Sequence, residues 1–352
     1  GGTMTIAGGI TKTIGTGQNR SAAIVNVDGG TLDMLGSAIT ASQLAYRGGS
    51  VANVSNITLD AYNVTSGTAL ANLANALILR DVTLPGNVAL TNPTAGQGGI
   101  LYEAAGGGSG GVISGAVDVG TVARTITVED SVAAAKDLTI AGAISGSGNI
   151  TKAGAGTLAL AGASTYTGAT IVNDGTLLVN GSIASTASLT ANAGTTLGGL
   201  GSIDSPVTIA AGAILNPGDG VTPGALTINN TLDLNSAAAS IFGIASDTSY
   251  DKVAGLTGLT YGGTLTVGTI GSPTWAAGQV YNLFNFSGTQ SGTFSTITLP
   301  TLPGSLAWKM FGSQPFDYAN GLIEIVTAGP AVRVWNGGSP VNDFWTSGSN
   351  WV

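Results

Sequence analysis

The carboxylates best spaced for shared chemistry are Asp118 and Asp137, which lie one repeat period of this chain apart, as shown below. Arg124 and Lys136 are close by in sequence, and Glu129-Asp130 falls between them. Two carboxylates on neighbouring turns of a chain, beside a cation, are the equipment for acid–base attack on a sugar. The same residues have a plainer use. Asp recurs at turns because its side chain bonds the backbone nearby, and adjacent residues such as Glu129 and Asp130 point to opposite faces of a strand. Turn carboxylates are the stronger reading, so the sequence predicts no enzyme and no catalytic residue.

Other chemistries are poorer still. There is no Cys and no His, which removes thiol nucleophiles, the commonest metal ligand and the usual base at neutral pH. Asn173-Asp-Gly175 and Asn216-Pro-Gly-Asp-Gly220 offer oxygens to calcium, but one or two carboxylates per site is few, and Asx turns account for both. Gly106-Gly-Gly-Ser-Gly-Gly111 is followed by no Lys-Ser/Thr and no helical pattern, so it reads as a loop and not a phosphate cradle. No cofactor or metal is expected.

The elements around these residues are short strands. Gly156-Thr-Leu-Ala-Leu160 recurs as Gly175-Thr-Leu-Leu-Val179, then as Gly194-Thr-Thr-Leu197 and Gly212-Ala-Ile-Leu215. One Gly-led strand per ~19 residues is the pattern of a coil whose turns stack. Alternation puts Leu158 and Leu160 inside and Thr157 and Ala159 outside, and stacking puts Leu177 by Leu158 and Leu197 by Leu177. The corners call for Gly, often with positive φ.

The stretch Gly148, Ile150-Thr-Lys152, Gly154, Gly156-Thr-Leu158, Leu160, Gly162, Tyr166, Gly168, Thr170, Val172, Gly175-Thr-Leu177, Val179 resembles the autotransporter-associated β-strand repeat of secreted bacterial surface proteins. The likeness continues more loosely from Arg124-Thr-Ile-Thr-Val128 to Tyr281-Asn-Leu-Phe-Asn-Phe-Ser-Gly288. It implies a passenger-type segment, extracellular or on the cell surface.

Composition agrees with an all-β chain. Of 352 residues, 57 are Gly and 8% are charged, yet 43% are hydrophobic, too aliphatic for disorder. A net charge of −8 without a basic cluster makes nucleic acid an improbable partner. No apolar run reaches the ~20 residues that span a bilayer. The opening Gly1-Gly-Thr-Met4 is expected to belong to a longer precursor.

The expected fold is a right-handed parallel β-helix with a more aromatic C-terminal β module. Residues 1–111 form irregular coils with strands near Met4, Ala23–Val27, Thr31–Met34 and Ile57–Leu59, and Ala76–Leu79 reads as strand with a helical turn as alternative. Residues 112–240 are regular coils. Residues 241–330 hold the aromatic module, its core built from Tyr281, Leu283 and Phe294, with Trp308 and Phe316 near its end. At about 20 residues per turn and ~4.8 Å per rung the rod is on the order of 80 Å long.

Function is expected to be structural: a stalk or fibre unit that forms a homo-oligomer or filament. The tail 331–352 carries Trp335, Phe344, Trp345 and Trp351; its plainer reading is that it folds back on its own chain or begins a further module, and the sharper one is that it docks onto a second copy by strand addition. An adhesin that binds surface glycans is the alternative, with Trp275, Phe284 and Phe286 as candidate sugar-stacking aromatics.

Overall fold

The computed structural model describes residues 110–329 apart from 185–186 and 220–221, residues 87–90, 95 and 99–104, and separate backbone strands upstream between Thr3 and Leu84. Short runs of Val, Ile, Leu and Thr, each closed by Gly, Asn or Asp, form the short strands of the coil's body. Each turn contributes three of them, one to each of three faces.

The first face is a parallel ladder of ten strands, beginning at Thr83–Leu84, passing through Thr157–Leu160 and Thr176–Val179, and ending at Thr296–Thr298. The second runs from Val88–Ala89 through Ile144–Ser145, and Thr165 N–H donates to Ile144 O at 2.8 Å to carry it on to Ala163–Ser164. The third begins at Ile39–Ala41 and passes through Arg124–Val128, Ile150–Ala153 and Thr170–Val172. Lys252–Tyr261 is long enough to serve two faces: its start pairs with Ala225–Ile228 and its end with Thr231–Leu234. The chain is therefore a parallel β-helix, as its repeat implies.

Register brings Leu138, Leu158, Leu177, Leu197 and Leu215 into one inward column, each member almost the same length of chain beyond the last. All five are buried. Thr157, Thr176 and Thr196 stack outside in the neighbouring column and are half-buried. One detail departs from simple alternation: Ala159, on the outward side, is buried as well. The chain after Pro217 crosses back over this face, where Gly218 and Gly199 exchange backbone hydrogen bonds of 2.7 and 3.0 Å and Asp219 pairs with Lys136 at 3.7 Å.

Turn length is not constant. Before the Leu column the turns are longer, Thr83 stacking on Val112 and Val112 on Thr139. Beyond Leu215 they lengthen again, through Ser240 and Leu265 to Ile297, the last being the longest of the three. Ten rungs over residues 83–298 span about 45 Å. The rod is thus shorter per residue than a uniform short turn predicts.

The wide end holds the aromatics. Tyr281, Leu283, Phe294 and Phe316 are buried and Trp308 is half-buried, as the sequence leads one to expect. Val280–Asn282, Leu322–Thr327 and Leu306–Trp308 form an antiparallel sheet beside it. Upstream, strands at Thr3–Thr5, Ile24–Val27, Gly30–Asp33 and Asn56–Leu59 lie at the expected places, and Ala76–Leu79 is strand. The stretch 70–75 and most of the Gly106–Gly111 loop lie outside the described residues.

The corners explain the glycine. At the corner between the first and second faces Gly115, Gly142, Gly162, Gly181 and Gly201 lie one above another. A Cβ on Gly142, Gly162, Gly181 or Gly201 would stand 1.9, 2.2, 2.2 and 1.9 Å from the carbonyl oxygen of the glycine below it. Close approach and not φ selects Gly in this column. At the opposite corner Gly194 has φ 81° with open space around its Cβ position. Gly181→Ala is therefore expected to cost about 3 kcal/mol or more, and Gly194→Ala about 1–2 kcal/mol. Denaturant midpoints of the two variants check this; equal losses would show that conformation and not stacking governs these corners.

Candidate functional site

The proposed sugar-attacking pair is not assembled. Asp118 lies on the second face and stacks on Ser145, whereas Asp137 precedes the first-face strand Leu138–Ile140, so the two occupy different corners. A single repeat period fails to stack them because the coil takes a longer turn here, from Val112 to Thr139. Each carboxylate has structural work. Asp118 Oδ1 accepts from Gly120 N–H at 2.8 Å. Asp137, 1% exposed, accepts from Ser131 N–H through one oxygen and Thr157 N–H through the other, both at 2.7 Å.

Two cations, Arg124 and Lys152, face inward, whereas Lys136 pairs with Asp219 on the outer side. Arg124 stacks on Ile150 in an inward column and is buried; Nε donates to Val119 O at 3.0 Å and the guanidinium also reaches Leu90 O. Burial lowers its pKa, against the attraction of Asp118. Lys152 occupies an inward site between Ile126 and Val172 and is fully buried. Its stem lies in the core and its ammonium donates to the corner carbonyls of Gly154 and, at 2.8 Å, Asp174. Burial pushes this lysine down to about 8, opposed by Asp174 and Asp137.

The repeat motif thereby acquires a physical meaning. Lys152 ties two corners, Gly156 admits the Glu129 carbonyl, which would lie 2.4 Å from a Cβ there, and buried Tyr166 shares a 2.5 Å hydroxyl hydrogen bond with Thr170. Sequence reasoning missed the role of Lys152, although period-two alternation from Ile150 places it on the inward side.

A further buried carboxylate carries no recognisable signal in the sequence. Asp251, 4% exposed, accepts from Gly224 N–H at 2.9 Å and Gly243 N–H at 2.7 Å, clamping the segment that crosses back after Pro217. Burial raises its pKa to about 6, with a smaller push from Asp219 and opposition from the two N–H donors.

The calcium candidates are likewise engaged in turns. Asn173 Oδ1 accepts from Asn192 Nδ2 at 2.7 Å, Asp174 Oδ1 from Gly175 N–H at 2.8 Å, and Asp219 Oδ1 from Thr222 N–H at 2.8 Å.

Of the candidate sugar-stacking aromatics, Phe284 is a correction. It is fully buried, with Phe242 at 5.0 Å and Tyr261 at 5.6 Å between ring centroids, because its strand turns it into the widened core. Trp275 and Phe286 are half-buried: Trp275 packs edge-on to Trp308 at 5.9 Å, and Phe286 to Tyr261 at 6.5 Å. Trp335, Phe344, Trp345 and Trp351 lie outside the described residues.

A three-faced parallel coil with Gly corners, a Leu column and Lys-tied turns is a parallel β-solenoid. Residues 150–179 match the family described as the passenger-associated-transport repeat, so this chain carries an autotransporter passenger repeat. It is also 31% identical over 153 residues to the adhesin BmaC autotransporter of Brucella suis biovar 1 (strain 1330), a match covering 42% of this chain and 4% of that protein. The chain is accordingly a secreted or cell-surface protein. Among the described residues no helix is long and apolar enough to cross a membrane.

Two buried groups, Asp251 and Lys152, predict opposite pH slopes. Native Asp251 holds its proton more tightly than the unfolded chain does, so stability falls as pH rises from about 4 to about 6, by about 2–3 kcal/mol. Native Lys152 releases its proton earlier than the unfolded chain, so stability rises between about pH 8 and 10.5. Urea unfolding across pH checks both; Asp251→Asn should erase the first slope and Lys152→Met the second.

Proposed function

We propose that this chain is a non-enzymatic, rigid β-helical segment of a surface adhesin, which holds adhesive surface out from the cell. The observation that carries the reading is the unbroken parallel ladder and its continuous aliphatic interior. Such a rod resists bending because every turn is hydrogen-bonded to the next, and each depends on its neighbours for burial. The buried charged residues Arg124, Lys152, Asp137 and Asp251 all hold backbone, which supports a role without catalysis. Adhesion is supported by the likeness to a protein named as an adhesin. Displayed on a non-adherent bacterium, the chain is expected to raise attachment to glycan-bearing surfaces several-fold over the empty display strain; attachment at the empty-strain level would leave only the stalk.

One observation favours self-assembly as an added role. Thr296–Thr298 ends the first-face ladder, and Thr289–Gly292 ends another, each with one edge unpaired among the described residues. An open edge accepts a further strand, and the tail bearing Trp335, Phe344, Trp345 and Trp351 follows in the chain. Sedimentation of the full chain should then shift with concentration, and removal of residues 334–352 should abolish the shift. An unchanged profile eliminates end-to-end assembly through the tail.

A further inference from the structure

The corner where the third face hands over to the first is long in the early turns, from Thr125 to Asp137, settles between Thr151–Thr157 and Asp233–Ala239 with one shorter step at Ile171–Thr176, and is shortest at Thr260–Thr264. The step from a third-face residue to its first-face successor is the same at Thr190–Thr196, at Thr208–Ile214 and at Asp233–Ala239. It is shorter by two at Thr260–Thr264 and by one at Ser291–Thr296. Gly262-Gly263 makes the short corner. It fits because neither residue has a side chain: a Cβ on Gly262 would lie 2.2 Å from Leu234 O, and one on Gly263 1.8 Å from Ala238 O. With the middle of three stacked corners pulled in, the edge of the rod is notched. The cleft is about 500 Å³, within the range of small-ligand sites.

Polar side chains stand on its rim, some already engaged: Ser236 Oγ donates to Asn235 Oδ1 at 3.4 Å. Asp233, Asn235, Ser236, Thr260 and Thr293 are exposed and line it, while Ser295 is spent on Gly263 O at 2.8 Å. Asp233 and Thr260 are register partners on adjacent rungs, so a carboxylate and a hydroxyl stand side by side, facing outward. Asn235 Oδ1 accepts from Ser236 N–H at 2.8 Å, which leaves the amide Nδ2 as a donor for a ligand. Acceptors, donors and hydroxyls thus converge over a bare glycine floor. One carboxylate is too little charge for a divalent cation, and it repels anions. What such a site suits is a polyhydroxylated ligand without negative charge, whose paired hydroxyls bridge Asp233 and Asn235.

We propose that the Gly262-Gly263 notch is a binding site for a neutral or N-acetylated saccharide. It rests on the adhesive reading above and relocates the glycan contact from the wide-end aromatics to the rod's edge. The test uses the full chain on an array of neutral, N-acetylated and uronic oligosaccharides, with affinities measured by calorimetry for those retained. Neutral or N-acetylated members are expected to bind and uronic ones not. Asp233→Ala and Asn235→Ala, both at exposed positions, should each weaken binding at least tenfold with unchanged melting temperature, and Asp247→Ala, outside the notch, should not. The proposal is overturned if no saccharide binds, if uronic oligosaccharides bind better, or if binding survives Asp233→Ala and disappears in Trp275→Ala. Attachment by the displayed chain without any saccharide binding would overturn the notch and leave the adhesive reading standing.

Discussion

The distance between stacked turns governs this protein. Backbone hydrogen bonds hold successive strands about 4.8 Å apart, and that spacing persists around the corners where no strand separates the turns. Where two corners pack directly, the carbonyl of one lies 1.9–2.2 Å from where the next would place a Cβ. No side chain fits, and glycine becomes the residue of the column. Asn side chains brace the same kind of tight corner: Asn149 Oδ1 accepts from Ala169 N–H at 2.9 Å, one turn up and beside Gly168, and Asn180 Oδ1 from Leu200 N–H at 3.2 Å, beside Gly201. A composition that looks like low complexity is thus the consequence of a narrow repeat.

The same spacing decides what the few charges do. A coil with a dry, aliphatic interior leaves corner carbonyls and N–H groups buried at the ends of every strand, and each needs a partner. Arg124 and Lys152 supply donors to carbonyls, while Asp137 and Asp251 supply acceptors to N–H groups. Buried ions of this kind are tolerated because their hydrogen bonds offset the cost of desolvation. Their pKa directions agree: burial is the largest cause for Arg124, Lys152 and Asp251 alike. For these four residues charge is an instrument of backbone satisfaction, and Asp118 and Asp137, one regular period apart, do not come together.

Legibility in the sequence follows the constancy of turn length. From Leu138 to Leu215 the turns hardly vary, and there the Leu column, the outward Thr and the Gly-led strands can be read directly. Asp118 and Asp137 lie where the turn is longer, from Val112 to Thr139, so a separation of one regular period carries no information about stacking. Phe284 is misread from sequence for a related reason. In a widened turn, aromatic residues fill the interior, and Tyr261 packs against Phe284, Phe294 and Phe316 with ring centroids 5.6, 5.3 and 5.6 Å away. The notch is illegible because it is a difference between two corners, and neither corner alone is unusual.

That difference points to how a monotonous rod acquires distinct surface. In the regular turns the outward Thr157, Thr176 and Thr196 repeat from level to level, as do the corner glycines. Specific features arise where the turn length changes. These are the segment that crosses back between Leu215 and Ser240, the contracted Gly262-Gly263 corner, and the long aromatic turn from Leu265 to Ile297. Along the first face the added or removed residues are absorbed at corners and the ladder continues, whereas in the aromatic turn the pairing of Lys252–Tyr261 with Phe284–Gly292 shifts register twice, after Val253 and after Leu256. Under the adhesive reading, recognition is assigned to such exceptions, which include the long early turns from Thr83 to Thr139 as well as the later ones.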